Sequence, residues 1–170
     1  MQVSVKSLLG DTLDASAGAW IGFLRVYGAL QRQLDTELQA QHNLPLTSYE
    51  VLLYLALAPD QRLRLSDLAT VVLLSLSGVS RLVDRLVRAG LVVKETAPED
   101  GRGAYAVLTE AGLNQLRAAH QTHLAGVRKH FLQHFTPDEL ALLVTFWERL
   151  LPGASRGLQV GEITTDKKPK

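Results

Sequence analysis

Two short helical stretches about three residues apart, followed by two alternating strands around a glycine-rich turn, constrain the fold of this chain more than any other feature. They run from Ser66 to Leu108. Ser66 has the residue type of a helix cap, and the first stretch covers residues 67–72. After a break at Leu73 and Leu74, Ser75 caps a second helix over residues 76–89, and Gly90 closes it as a C-cap residue. "LVVKETA" alternates as a strand, "PEDGRG" supplies turn formers, and "AYAVL" returns. Helix, turn, helix and hairpin in this order make the winged helix-turn-helix pattern.

Longer helices flank this unit. Trp20, Phe23, Leu24, Tyr27, Leu30, Leu34 and Leu38 recur at intervals of three and four and predict a helix over residues 20–41. Thr47-Ser48-Tyr49-Glu50 has the form of a capping box and opens a helix that runs to about Ala58, before Pro59. "RLRL", residues 62–65, is a short alternating piece. Thr109 caps a long helix reaching about His134. Thr136-Pro137-Asp138-Glu139 combines a cap, a proline at the first helical position and a glutamate three residues on, and the last helix ends near Leu150. The expected fold class is mainly α with a small β-hairpin wing. Residues 1–15 read as a flexible N-terminus, 16–151 as a single domain, and 152–170 as a disordered tail.

Several function classes are excluded at this level. The chain has no cysteine, which removes disulfides, thiol redox sensing and cysteine zinc sites together. Nucleophile-elbow, phosphate-loop and H-E-x-x-H motifs are absent, so no enzyme, no cofactor and no metal is expected. No apolar run approaches the ~20 residues of a membrane helix, and no signal pattern opens the chain. A soluble, cytoplasmic protein without a membrane partner is the expectation.

On a helical wheel at about 100° per residue, Val79, Leu82, Val83 and Leu86 share one face of the 76–89 helix. Ser77, Arg81, Asp84 and Arg88 share the opposite face, with Gly78 and Arg85 flanking it. That polar face suits a DNA major groove. Arg81 is the base-edge candidate, because a guanidinium can bond guanine O6 and N7 together. Ser77 and Ser80 suit a base edge or a phosphate, and the helix start at Ser75 and Gly78 favours phosphate. An ordinary surface helix has the same pattern, and Asp84 and Arg88 have the spacing of an i,i+4 pair. From Gln61 to Tyr105 there are seven basic and five acidic residues, and the whole chain carries +1. DNA affinity must then rest on a few placed arginines and on dimerisation.

"LSLSGVSRLVDRLVRAGLV" followed by "EDGRGAYAVLTEAG" resembles the MarR family of transcriptional regulators, and the order of elements agrees over about Trp20 to Leu150. The resemblance implies an obligate homodimer. Its dimerisation helices lie at 16–45 and 109–151, around a winged helix-turn-helix at 61–108. A recognition helix, residues 76–89, would enter the major groove of a palindromic double-stranded operator, and the wing would enter the minor groove. The implied DNA-binding set is Ser75, Ser77, Gly78, Ser80, Arg81, Arg85, Arg88, Asp100 and Arg102. Arg102 would be the minor-groove arginine, and Asp100 would orient arginines at the wing base, Arg85 among them. Gly101 departs from relatives that carry a charge there, which implies a more mobile wing with one fewer phosphate contact. Members are often released from DNA by small aromatic or phenolic acids. Trp20, Phe23, Tyr27, Tyr49 and Tyr54 are the candidate lining residues, with core or interface packing the competing account of each. The implied function is a sequence-specific regulator, commonly a repressor. The alternative is a winged-helix adaptor that binds protein and not DNA.

His120, His123, His130 and His134 fall within an arc of about 80° on the long helix, beside the stripe of Leu113, Leu116, Leu124, Val127, Phe131 and Phe135. His130 and His134 have the spacing of a shared metal, yet no carboxylate on this helix completes a site. A polar border of the dimer seam is the favoured reading over a metal site, and clustered imidazoles also offer a pH response.

Overall fold

A computed structural model describes residues 15–97 and 103–155. The helices are α1 (Ala15–His42), α2 (Leu46–Leu57), α3 (Leu65–Val71), α4 (Leu76–Arg88), α5 (Glu110–His130) and α6 (Pro137–Leu150). The strands are β1 (Arg62–Arg64), β2 (Val92–Thr96) and β3 (Ala104–Leu108). Short 3-10 turns occupy Pro59–Gln61 and Leu132–His134. The mainly helical class with a small wing is therefore what the chain adopts.

The wing hairpin pairs Val92 with Leu108 and Thr96 with Ala104, as the alternation of "LVVKETA" and "AYAVL" predicts. "RLRL" supplies a third strand. β1 lies antiparallel to the other edge of β3, with Leu63 opposite Ala106. Leu63 and Ala106 are buried, and the two arginines of β1 point away from that core side. The main core joins Leu38 of α1, Tyr49, Leu52 and Leu55 of α2, Leu68 of α3, Val79, Leu82, Val83 and Leu86 of α4, and Leu116 and Ala119 of α5.

Three expected boundaries move. α2 begins at Leu46 behind Pro45 and has no side-chain cap, so Thr47 does not cap it. Asp35 of α1 takes that role by accepting from the Leu46 N–H at 2.8 Å. With that donor satisfied from another helix, α2 starts at Leu46, two residues earlier than a Thr47 cap would place it. α3 begins at Leu65 with Arg64 as its uncapped flank, not behind Ser66. Leu65 is buried, and burying it takes the chain straight from β1 into the helix. α5 stops at His130 because Phe131 leaves helical geometry (φ −129°, ψ −68°), and the 3-10 turn follows. The apolar spacing continues through Phe131 and Phe135, which is why no break is visible in the sequence. Ser75, Thr109 and Thr136 do cap as expected, Thr136 in a complete capping box.

The end of α4 and the start of α5 are locked together. Gly90 takes φ +73°, and Gly90 and Leu91 donate to Val87 and Leu86 in a Schellman closure. The Thr109 hydroxyl donates to the Gly90 carbonyl at 2.8 Å and accepts from the Gly112 N–H at 3.0 Å. The Thr109 N–H donates to the Leu91 carbonyl at 3.2 Å. A Cβ on Gly112 would stand 2.1 Å from that carbonyl oxygen. Backbone cannot yield there as a flexible side chain would. Gly112→Ala is expected to lower unfolding free energy by about 2 kcal/mol or more, read as a shift in the denaturant midpoint.

Candidate nucleic-acid interface

α4 presents the two faces read from its sequence. Val79, Leu82, Val83 and Leu86 are buried, whereas Ser77, Arg81, Asp84, Arg85 and Arg88 are exposed and Gly78 and Ser80 half-buried. The Ser75 hydroxyl accepts from the Gly78 N–H at 3.1 Å and shares a 3.2 Å contact with the Ser77 hydroxyl. One orphan donor of the first turn is thus satisfied, and the remaining N–H groups point out with the positive end of the helix dipole.

The expected Asp84–Arg88 pair is replaced by a non-local one. Lys94 of β2 reaches Asp84 at 3.1 Å and donates to Ser80 at 3.4 Å. An exposed pair like this contributes under about 1 kcal/mol to stability. Its consequence is positional, since it ties the wing to the outer edge of α4. On β1 and β3, Arg62 lies 3.8 Å above the Tyr105 ring and 3.7 Å from Glu95, and Arg64 donates to the Tyr105 hydroxyl at 3.1 Å. Both arginines are held at the wing base by one aromatic ring.

Between wing and α4 runs a crevice of about 370 Å³ lined by Arg64, Ser66, Leu76, Ser80, Lys94 and Gly103. Arg64, Ser66 and Lys94 are the residues that sequence reasoning left without a role in the interface. The alternation of "RLRL" puts Arg62 and Arg64 on one side of a strand, and that signal was available. Nothing local pairs Lys94 with Asp84. Asp100 and Arg102 lie outside the described residues. The strands that lead to them end in register, with the Ala97 N–H donating to the Gly103 carbonyl at 2.9 Å.

The five candidate effector residues are divided. Trp20, Phe23 and Tyr27 form an exposed stack along α1, with centroids 6.0 and 6.3 Å apart, and Phe23 meets Trp147 of α6 at 5.8 Å. Tyr54 is half-buried. Tyr49 is buried in the core. Its hydroxyl shares a 2.7 Å hydrogen bond with His120 Nδ1, and its ring stacks on His123 at 4.5 Å. Burial, then the charge of Glu50, pushes the Tyr49 hydroxyl up to about 12. Burial also raises the Glu50 carboxyl. A cavity of about 250 Å³ adjoins His120, lined also by Leu53, Leu116, Arg117 and Gln121.

The four histidines do not share one helical arc. His134 lies in the 3-10 turn beyond α5, so the proposed i,i+4 relation with His130 is lost. His130 instead meets Glu37 of α1 at 2.9 Å, and Lys129 reaches the same oxygen at 3.1 Å. The hydrogen bonds from His130 and then Lys129 hold the Glu37 carboxyl below its ordinary range. Among the described residues no group of three His, Cys, Asp or Glu side chains is placed to hold a metal. No single described helix is long and apolar enough to cross a membrane.

A capped amphipathic helix with a hydroxyl-and-arginine outer face, tied to a three-stranded wing, defines a winged helix-turn-helix protein. Residues 42–103 match the model of the MarR family. The structure superposes on AbsC, a MarR family regulator of Streptomyces coelicolor, with a TM-score of 0.75 and 36% identity, covering 81% of this chain and 92% of that one. It superposes on Sco3205, a MarR family regulator of the same organism solved in complex with DNA, with a TM-score of 0.77 and 30% identity over 86% of this chain and 92% of the other. The multiple antibiotic resistance protein MarR of Escherichia coli is 30% identical over 86 residues, 51% of this chain and 60% of that protein's length. The chain belongs to the MarR family of transcriptional regulators, a family of regulators and not of enzymes.

The Tyr49 cluster makes a pH prediction. Burial, then the neighbouring His120, holds the His123 pKa below the ordinary 6.5. A base with a depressed folded pKa binds fewer protons folded than unfolded. Its contribution is complete above pH 6.5 and is lost as pH falls through the folded value. His123→Phe keeps a ring against Tyr49 and removes the titration. Denaturant midpoints from about pH 8 to about pH 5 should fall less steeply in this variant than in the parent.

Proposed function

We propose that the chain is a homodimeric, cytoplasmic regulator that binds a palindromic double-stranded DNA operator, acts as a repressor and is released by a small, aromatic ligand. The observation that carries the DNA reading is the outer face of α4, with Ser77, Arg81, Arg85 and Arg88 exposed behind the Ser75 cap. A relative of 30% identity and near-equal length was solved with DNA. In this reading α4 lies in the major groove. Arg81 bonds a base edge, Ser75, Ser77, Gly78 and Ser80 meet a phosphate or base at the helix start, and Arg85 and Arg88 follow the backbone. Arg64 and Lys94, at the crevice, add backbone contacts. Arg102 takes the minor groove and Asp100 orients the wing base.

Support for the dimer comes from α6. It is a well-capped helix of 14 residues that buries none of them, and it exposes Leu142, Val144, Phe146 and Leu150. α1 exposes Trp20, Phe23, Leu24, Val26 and Tyr27. Covering such side chains, most of them about half exposed, contributes on the order of 1 kcal/mol each. Residues 16–45 and 109–151 are therefore assigned to the seam. Trp20, Phe23, Tyr27 and Tyr54 are the rings within reach of an aromatic acid, and Tyr49, buried and bonded to His120, is the least available of the five.

Selection of bound sequences from random duplex DNA tests the reading and yields the half-site spacing. Absence of salt-dependent binding to any duplex would favour the protein-adaptor alternative instead. Arg81→Ala is expected to relax preference at particular base pairs by about 1–3 kcal/mol. Arg102→Ala should weaken all sites and lower the salt slope by about 1. Leu142→Glu combined with Phe146→Glu should yield monomers by sedimentation, and these should bind the full operator poorly.

A further inference from the structure

We infer that Leu76 reads a thymine, through apolar contact between its side chain and the C5-methyl group in the major groove. This rests on the DNA-binding reading above and adds a specificity residue to it. Leu76 is the first residue of α4 and is 57% exposed; Leu73, in the turn before it, is 85% exposed, and Leu74 is exposed as well. Leu73 also takes φ +53°, a conformation that is costly for a residue with a Cβ. The same two helices bury Leu65, Leu68 and Val79, so apolar residues with a core position available did enter the core.

Most other exposed large apolar side chains of the described residues lie on α1, α5 and α6, where a dimer seam accounts for them. These leucines do not. They flank the start of α4 beside Ser75 and Ser77, and Leu76 also lines the crevice with Ser80 and Lys94. Hydroxyls, cations and the open end of a helix around an apolar point match one surface in particular. The major groove has phosphates at its walls and, on its floor, the thymine methyl as its only methyl group among the four bases. Leu76 precedes Arg81 by five residues, about 140° around the helix and roughly 7.5 Å along its axis, so the two side chains meet different parts of the groove.

The test uses the duplex selected by the full chain, with each thymine replaced in turn by deoxyuridine, which lacks only the methyl. One thymine per half-site should lose about fourfold in affinity on replacement, the value of one buried methyl. Leu76→Ala should bind thymine and deoxyuridine duplexes equally, with the parent's salt slope and circular dichroism, and Leu76→Met should keep the discrimination. A parent protein indifferent to every such replacement overturns the inference. So does Leu76→Ala that still discriminates. Failure to bind any duplex overturns the underlying DNA reading, and this inference with it.

Discussion

The hydrogen-bonded junction between Gly90–Leu91 and Thr109–Gly112 sets the arrangement of everything else. One hydroxyl, that of Thr109, donates to the carbonyl ending α4 and accepts from the first turn of α5. The absence of a side chain at Gly112 lets the α5 backbone come against the Leu91 carbonyl. α4, assigned to the DNA surface, and α5, assigned to the dimer seam, are thereby joined through backbone and one short threonine side chain.

The wing is held to the same standard by weaker means. Lys94 bridges β2 to Asp84 and Ser80 on α4, and Tyr105 gathers Arg62 and Arg64 from β1. Each contact is exposed or half-exposed and contributes little to stability. Together they fix Arg64 and Lys94 on the lining of the crevice. Net charge alone, at +1, would not attract DNA, so placement has to substitute for quantity.

The opposite end of the molecule leaves apolar side chains uncovered. α6 has a full capping box and a proline at its start, yet buries no residue. Local signals define that helix without giving it a core. On the other side of the core, Tyr49, His120 and His123 join α2 to α5 through one hydrogen bond and one stacked ring.

Much of this was legible in the chain itself. The faces of α4 follow from a 3.6-residue period, and the hairpin register follows from alternation, because both depend on near neighbours. Ser75, Thr109 and Thr136 cap as their types suggest, for the same reason. Thr47 and Ser66 have the same residue types and do not cap. Asp35 satisfies α2 from another helix, and burial of Leu65 starts α3 early. The break at Phe131 was hidden because the apolar spacing runs through it, and with it went the alignment of His134 with His130. The pairing of Lys94 with Asp84, the third strand against β3 and the Glu37–His130 contact join residues far apart in sequence. Sequence by itself determined the elements, their inward faces and the family, since periodicity and capping are local. Only the tertiary structure decided which charges meet, where two helices stop and start, and which apolar residues stay outside, because those outcomes depend on neighbours that folding alone brings together.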